Sequence, residues 1–457
     1  MKQVTYTYDV VKVAAYRPFK LRHLGGAAFL LMLVLAGCDR IKSASNRSFT
    51  IPQSRLLGSL EQKSGLIAYI GTDGNIFTMN QAGQNIFQVT KDAENKDGNL
   101  RYYGHVTWAR DGSQIAFVSY SGTKESDVQA HLFVGKSDGT GIKEVFTSDR
   151  LLPVFLYWAP DGRALAYLSA QMDGNSAVLH LTEVASGKSA IVDSGQPLFW
   201  AWEPSAAGIL VHANGAREVK AGARMARLTF GADVIEEALD AVPGNFQAPA
   251  ISPDGSHWLV GGQSAEGATA LLLVNRTDNQ QRELAAFQGR AAFDWSPDGT
   301  RVAWVPSAAE RFAAMGALNV RLVEDESAAP FVSAEKQVVA FWWSPDGRHV
   351  AYFDAQLGKA AAADAAAPVE LLTLLVLDVE KGVSRKLFEF TPTPQFTGLL
   401  PFFDQHQRTL TLWSPDNRYL VMPVQTQGGP RIAVAQADGD FAPRLLEAGA
   451  LAVWSWR

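Results

Sequence analysis

The sequence predicts an all-β fold in which one unit of strands and a tight turn recurs along most of the chain. Its clearest copy is the stretch Trp343–Tyr352, which reads Trp-Ser-Pro-Asp-Gly followed by Arg-His-Val-Ala-Tyr. Pro345 fixes φ at the second turn position, Asp346 accepts hydrogen bonds from nearby backbone, and Gly347 tolerates a positive φ. The residues after the turn alternate with the period of two that is typical of a half-buried strand. The stretch therefore predicts a strand, a turn and a second strand.

The same turn recurs at intervals of roughly 45–50 residues, with one longer interval before the last copy. A degenerate copy, Trp202-Glu-Pro-Ser205, keeps the Trp and the Pro but loses the Asp-Gly pair. A repeat of this length fits a four-stranded blade, so the sequence predicts a single β-propeller. We expect eight blades, with seven as the alternative if the degenerate copy is not a separate blade. The eight expected blades start at positions 454/65, 108, 158, 202, 251, 295, 343 and 413.

The two ends of the repeated region complement each other. Its first strand, Gly65–Tyr69, has no Trp-containing strand before it, and the chain stops after the strand-like stretch Ala452–Arg457. Pairing them would complete one blade from both termini and remove an open sheet edge. We therefore expect the C-terminal strand to join the first blade and close the ring.

The repeated turn, together with the strand that follows it, carries a family resemblance. Trp-Ser-Pro-Asp-Gly followed by an Ile-Ala-Phe-like strand, as in Gln114–Val118, resembles the TolB-like family of β-propellers over residues 65–457. This resemblance implies the fold. It leaves the function open, because such blades serve partner binding, peptidase gating and polysaccharide cleavage alike.

The N-terminus has the pattern of a targeting segment. A basic leader precedes an apolar run from Leu24 to Ala36, which is shorter than the roughly 20 residues of a membrane-spanning helix but suits a signal peptide. The run ends in Leu35-Ala-Gly-Cys38, which resembles the lipobox of bacterial lipoproteins and implies cleavage before Cys38 and lipidation of this cysteine. An uncleaved short anchor is the alternative. We expect a signal peptide at 1–37, a flexible tether at 38–64 and the propeller at 65–457.

The residue after the cysteine and the net charge indicate where the protein is located and which class of partner it does not bind. Asp39 directly after the cysteine resembles an inner-membrane retention signal of diderm bacteria, which implies an extracytoplasmic protein on the outer leaflet of the cytoplasmic membrane. The leader contributes +4 to a net charge of −5, so the remaining chain carries −9. This acidic body argues against nucleic-acid binding, which needs a basic footprint. With one cysteine, no intramolecular disulfide can form.

The sequence offers no clear catalytic motif. It contains neither a Gly-x-Ser-x-Gly elbow nor a His-Glu-x-x-His helix, and its eight histidines are scattered. The repeated Asp residues are expected to build turns, and the repeated Trp residues to pack between blades. We therefore predict no catalytic residue, no metal ligand and no cofactor. The alternative is an enzyme of the glycan-lyase or hydrolase type with a metal in the central channel.

The connections that interrupt the repeat are the predicted site of function, because loops on a rigid scaffold carry binding residues. Four long connections fall on one face: Lys91–Gly104, Ser119–Gln129, Asp354–Pro368 and Thr391–Gln407. Two of them combine aromatic and polar groups, and the candidate binding face consists of Tyr102, Tyr103, His105, Phe396, Phe402, Phe403, Asp404 and His406. We expect a non-catalytic binding or scaffold module for a protein, peptide or glycan, or an accessory subunit of an envelope complex. The alternative for the aromatics is that they fold down to plug the channel or pack on neighbouring blades.

Overall fold

The computed structural model describes residues 64–457, apart from 97–98, 124–126, 172–175, 218–221, 310–311, 326–328, 359–368 and 440. The predicted signal peptide, Cys38 and the tether up to residue 63 lie outside the described residues. In the part of the chain that is described, no helix combines the length and the apolar character needed to span a bilayer.

The described residues are almost entirely β-structure. The strands of the first half are β1 (Ile67–Gly71), β2 (Ile76–Met79), β3 (Phe87–Gln88), β4 (Glu94–Lys96), β5 (Asn99–Trp108), β6 (Gln114–Gly122), β7 (Gln129–Lys136), β8 (Lys143–Ser148), β9 (Leu151–Trp158), β10 (Ala164–Gln171), β11 (Ala177–Glu183), β12 (Ser189–Gly195), β13 (Leu198–Trp202), β14 (Gly208–Asn214), β15 (Ala223–Phe230) and β16 (Val234–Ala238). Those of the second half are β17 (Ala250–Ile251), β18 (His257–Gln263), β19 (Thr269–Asn275), β20 (Gln281–Ala286), β21 (Arg290–Trp295), β22 (Arg301–Ser307), β23 (Asn319–Leu322), β24 (Phe331–Val332), β25 (Val338–Trp343), β26 (His349–Leu357), β27 (Val369–Asp378), β28 (Val383–Pro392), β29 (Tyr419–Thr426), β30 (Gly429–Gln436) and β31 (Arg444–Trp454).

Hydrogen bonds join these strands into six sheets within the described residues. Four sheets have four strands each, β9–β12, β13–β16, β17–β20 and β21–β24, and a fifth runs from β4 to β8. The sixth has ten strands in the order β25–β31 followed by β1–β3. It is long because β28 and β31 each continue from one repeat into the next, where β28 pairs with β29 and β31 pairs with β1.

The C-terminal strand is hydrogen-bonded to the first strand of the folded region. β31 is antiparallel to β1, with Ile67 opposite Trp454 and Ile70 opposite Leu451. Ser64, the last residue of the predicted tether, is buried, and its carbonyl accepts the indole N–H of Trp454 at 2.8 Å. The expected number of eight blades and the closure of a ring stay predictions, because hydrogen bonding delimits six sheets rather than eight.

The Asp residues of the repeats hold the turns together, as predicted. The Ser344 hydroxyl donates to Asp346 at 2.6 Å and accepts the backbone N–H of His349 at 3.0 Å. The same carboxylate accepts the backbone N–H of Arg348 at 3.1 Å. Three further Ser–Asp pairs repeat the donated bond: Ser252–Asp254, Ser296–Asp298 and Ser414–Asp416.

Four of the repeated Trp residues are hydrogen-bonded to a neighbouring repeat, in line with their predicted packing role, whereas the indole N–H groups of Trp295 and Trp343 have no partner among the described residues. The indole N–H of Trp158 donates to the carbonyl of Thr107, the residue directly before the Trp of the preceding repeat. Equivalent bonds join Trp108 to Val453, Trp202 to Tyr157 and Trp413 to Trp342. Each of these bonds fixes one repeat against the next at its innermost strand, where a buried indole N–H needs a partner.

The degenerate copy replaces the Ser–Asp pair with an ion pair. Glu203 stands where four of the other copies have Ser and two have Ala, and its side chain is 2% exposed. Its carboxylate receives two hydrogen bonds from Arg227 of β15, from Nε at 2.6 Å and from Nη2 at 3.1 Å. Because β15 lies two strands away in the same sheet, this pair holds the turn without the short Asp of the repeat.

Ala206 occupies the glycine position of the repeated turn with φ of +58°, where the other copies have Gly or Asn. A Cβ in this left-handed conformation costs about 1–2 kcal/mol, whereas Gly loses about 0.5–1 kcal/mol of chain entropy. We expect Ala206→Gly to raise the free energy of unfolding by about 0.5–1 kcal/mol, measured by urea denaturation.

The matched control is Gly347→Ala, because Gly347 has φ of +69° in the same turn of another repeat. This change should lower the free energy of unfolding by a similar amount. A destabilising Ala206→Gly would contradict the account of this turn.

The structure corrects the expectation that residues 391–407 form only a loop. Within the described residues they contain two short helices, α1 (Pro394–Leu399) and α2 (Phe403–His406), joined by a 3₁₀ turn at Leu400–Phe402. Thr393 caps the start of α1, where its hydroxyl accepts the N–H of Phe396 at 3.4 Å. We call residues 394–408 the plug.

Candidate functional site

The plug is hydrogen-bonded to the first strands of several sheets. Gln405 accepts the backbone N–H of Trp200 in β13 and donates to the carbonyl of the same residue, both at 3.2 Å. Asp404 accepts the N–H of Ala248, just before β17, at 2.9 Å. Gln407 donates to the carbonyl of Phe293 in β21 at 3.0 Å. Three side chains within four residues of the plug therefore reach three consecutive sheets.

Aromatic contacts extend this pattern on both sides. The ring of His406 meets Phe155 of β9 edge-on, with centroids 5.0 Å apart. Phe403 packs against Trp342 of β25 at 5.0 Å and against Phe341 at 5.4 Å. The plug thus touches the first strands of five consecutive repeats, which is how blades surround a central axis. The fold is a β-propeller.

The structure places the eight predicted binding residues in two different environments. Three residues of the plug are at most 1% exposed: Phe396, Phe403 and Asp404. Tyr103 and His406 are also buried, at 7% and 9% exposure, whereas Tyr102 and His105 are half-buried. Phe402 is the most exposed, at 41%. Most of the aromatic groups are thus packed against other side chains, and recognition by this set stays a prediction.

Each of the two predicted loops contributes a histidine. The ring of His105 in β5 lies edge-on to Tyr120, with centroids 6.3 Å apart. Burial lowers the pKa of His105 to about 4. Burial, and secondarily the neighbouring His105, lowers the pKa of His406 to about 3. Both rings are therefore neutral at pH 7 and behave as packed aromatic groups.

These histidines predict an acid-sensitive fold. Because their folded pKa values lie below the ordinary 6.5, the unfolded chain binds the extra protons, and stability falls as the pH drops from 6.5 towards 4. We expect each histidine to remove about 1.4 kcal/mol per pH unit over this window. The measurement is the urea midpoint between pH 7 and 4.5.

Replacing His406 with Gln should make that pH dependence shallower, because Gln does not titrate. His131, half-buried on β7 and paired with Glu144 at 2.9 Å, supplies the control variant His131→Gln. An unchanged pH dependence in His406→Gln would contradict the placement of this ring.

A polar groove lies beside the first of the predicted loops. It has a volume of about 620 Å³, and its charged lining is balanced between acidic and basic side chains. Its lining residues are Asp73, Lys91, Asp92, Ala93, Glu94, Asn95, Lys96 and Arg101. The strand β4, exposed along its length, forms one wall and ends its sheet. Sequence reasoning identified the connection Lys91–Gly104 but missed these groups, because exposed charges are common in any loop.

Among the described residues, no three His, Cys, Asp or Glu side chains come together in a way that could hold a metal ion. Two further histidines are packed against other groups. His180 stacks on Tyr167 with ring centroids 4.7 Å apart. His212 contacts the carbonyl of Gln247 at 3.2 Å through Nδ1. Burial lowers the pKa of each ring to about 4. These histidines are packed inside separate sheets.

Comparison with solved structures agrees with the fold. The chain is similar to the dihydro-heme d1 dehydrogenase NirN in complex with DHE, with 12% identity over 91% of this chain and 78% of that one, and a TM-score of 0.51. It also resembles TolB from Acinetobacter baumannii, with 12% identity, coverage of 83% and 77%, and a TM-score of 0.37. An oligogalacturonate lyase in complex with manganese is 12% identical, with coverage of 85% of this chain and 85% of that one, and a TM-score of 0.42. At such low identity these likenesses concern the fold alone.

No protein-family model matches the chain, and no functionally curated protein matches its sequence.

Proposed function

We propose that this chain is a non-catalytic binding or scaffold module, held by a lipid on Cys38 at the outer leaflet of a bacterial cytoplasmic membrane. The observation that supports this function is the plug, because its side chains occupy the axis of the propeller. Gln405, Asp404 and Gln407 are committed to backbone groups of three sheets. Atoms bound in this way hold the structure, while Oδ1 of Asp404 is buried without a hydrogen-bond partner among the described residues.

Recognition is then a property of the outer surface on the side of the long loops. Phe402 is exposed at the end of the 3₁₀ turn, directly before the buried Phe403. The groove beside β4 offers three carboxylates and three cationic groups within one concave surface. A partner with alternating charges, such as a protein surface, complements this lining better than an apolar ligand.

Site-specific crosslinking tests this proposal. A photoreactive amino acid is placed at Phe402 in one variant and at Glu94 in another, and crosslinked species are identified by mass spectrometry in intact membranes. The control position is Arg163, which is 87% exposed and directly follows the turn of a repeat, which we expect on the face away from the long connections. We expect the same partner protein from Phe402 and Glu94 and none from Arg163. Identical products from all three positions would contradict a recognition face.

The anchor has its own test. Incorporation of radiolabelled palmitate should be lost in Cys38→Ser, because no other cysteine exists to carry the lipid. Labelling that persists in this variant would reject the lipidation.

A further inference from the structure

Repeated turns of neighbouring repeats contact one another. The side-chain carbonyl of Asn417 accepts the backbone N–H of Asp346, in the turn of the preceding repeat, at 2.9 Å. Gly347 of that turn lies against Pro297 of the turn before it, where an added Cβ would be 3.5 Å from Cδ. Two more pairs of neighbouring turns make the same contact: Gly299 with Pro253 and Gly255 with Pro204. These turns therefore lie together on one side of the propeller, which we call the turn side.

The chain enters the fold on the turn side. The hydroxyl of Ser64 accepts the N–H of Asp416, in the turn of the last repeat, at 3.2 Å. The backbone N–H of Ser64 donates to the side chain of Gln81 at 2.8 Å. Arg444, the first residue of β31, donates to the carbonyl of Gln81 at 3.2 Å. The predicted tether therefore meets the propeller on the turn side, beside the connection between β30 and β31.

Exposed apolar side chains recur at one position of the repeat. Eleven large apolar residues are exposed in the described part of the chain, and six of them lie within three residues of the start of the outermost strand of a repeat. They are between 38% and 78% exposed and come from six different repeats: Ile86, Ile142, Ile191, Ile235, Val383 and Phe441. Single apolar residues scattered over a surface need no explanation, but this recurrence does. We call these six residues the apolar rim.

Strand register places the apolar rim near the level of the turns. In one repeat Trp343, at the turn, is opposite Val350 of the next strand, and Val350 is opposite Leu377. Leu377 is in turn opposite Ser384, the residue directly after Val383. Another repeat has the equivalent row, from Trp158 through Leu165 and Thr182 to Ser189. The outermost strands of these repeats therefore begin on the turn side.

We propose that the turn side of the propeller contacts a phospholipid bilayer, with the apolar rim at the boundary between headgroups and acyl chains. This inference rests on the lipidation of Cys38 proposed above. A flexible chain as long as residues 38–63 has a root-mean-square end-to-end distance of about 25–30 Å. A lipid at its far end would keep the turn side close to the membrane, where weak apolar contacts are sufficient for binding.

A bilayer suits the apolar rim better than a single partner protein does. The rim residues come from six repeats around the axis instead of forming one patch, and a flat surface perpendicular to the axis can contact all of them. Phe441, the most exposed of them at 78%, is three residues before Arg444 and so lies beside the entry of the tether. The groove beside β4 would point away from the membrane, because its Asp73 follows β1 whereas Ser64 precedes this strand.

The test uses the lipidated protein in vesicles of phosphatidylethanolamine and phosphatidylglycerol. Because Cys38 is the one cysteine of the chain and carries the lipid, Phe441→Cys and Ile142→Cys each supply a single reactive thiol for a fluorescent label. Nitroxide-bearing lipids in the vesicles quench a label that lies at the bilayer interface. We expect loss of fluorescence at these two positions and none in Phe402→Cys, the control on the side of the long loops.

The rate at which a PEG-maleimide modifies the unlabelled thiols gives a second readout. The two rim cysteines should react several-fold more slowly in vesicles than in detergent, whereas Phe402→Cys should react equally in both. Equal quenching at all three positions would overturn the proposal. Protection of the rim cysteines in native membranes without quenching in vesicles would also overturn it, and would indicate a partner protein.

The unsubstituted protein separates this inference from the proposed anchor. Modification of its Cys38 by the maleimide would reject the lipidation and, with it, the contact with the bilayer. An unreactive Cys38 together with unquenched labels at the apolar rim would reject only the contact with the bilayer.

Discussion

Phe403→Ala is expected to lower the free energy of unfolding by about 3–5 kcal/mol, the cost of removing a buried phenyl ring and leaving a cavity. The ring is 1% exposed and is enclosed by Phe341 and Trp342 of β25. Because the plug connects five repeats, the loss should appear as a single shift of the urea midpoint rather than as a separate local transition.

The adjacent residue supplies the control for this prediction. Phe402 belongs to the same short segment but is 41% exposed, so Phe402→Ala should change stability by no more than about 0.5 kcal/mol. Equal effects of the two substitutions would contradict the packing of the plug. Taken together, the pair separates stability from binding, because only Phe402 belongs to the proposed recognition face.

Arg227→Met is expected to lower the free energy of unfolding by about 3–5 kcal/mol, because it leaves the buried carboxylate of Glu203 without its main partner. Arg276 is 3.6 Å from the same carboxylate but is 39% exposed, so it does not replace the two hydrogen bonds of Arg227. Urea denaturation at pH 7 provides the measurement.

Two further variants make this result specific. Arg276→Met removes the exposed partner and should cost less than about 1 kcal/mol. Rebuilding the repeat with Glu203→Ser and Ser205→Asp in the Arg227→Met background should recover most of the loss, since no buried carboxylate is then unpaired. Failure of this combination to recover stability would show that the ion pair does more than hold the turn.

The sequence predicted the repeated parts of the fold well, because their structure is decided locally. The Ser-Pro-Asp-Gly turn contains its own hydrogen bonds, as between Ser344 and Asp346, and the strands that flank it show their period in the sequence. The strand expected at Gln114–Val118 begins at that residue and extends to Gly122. The pairing of β1 with β31 was also expected, from the unmatched strands at the two ends.

The plug was not predicted as helical, because helices of six and four residues are not stable alone. They are held by side chains that bind strands far away in the sequence, such as Gln405 with Trp200, 205 residues apart. A local signal was nevertheless present, since Thr393 followed by Pro394 is a typical start of a helix. It identifies the beginning of α1 but not its position in the propeller.

The ion pair of the degenerate copy was missed for a related reason. Glu203 was visible as a departure from the repeat, but its partner Arg227 lies 24 residues later on another strand, so the sequence alone did not indicate the pair.

The pairing of β31 with β1 has a consequence for how the chain folds during synthesis. The backbone N–H of Leu66 binds the hydroxyl of Ser455, 389 residues later, so closing this contact in an otherwise unfolded chain would cost about 5 kcal/mol of loop entropy. The first strand therefore waits with an unpaired edge until the last one has been translated. During that interval β1, whose five residues are all buried in the finished protein, presents an unpaired edge of the kind that favours aggregation.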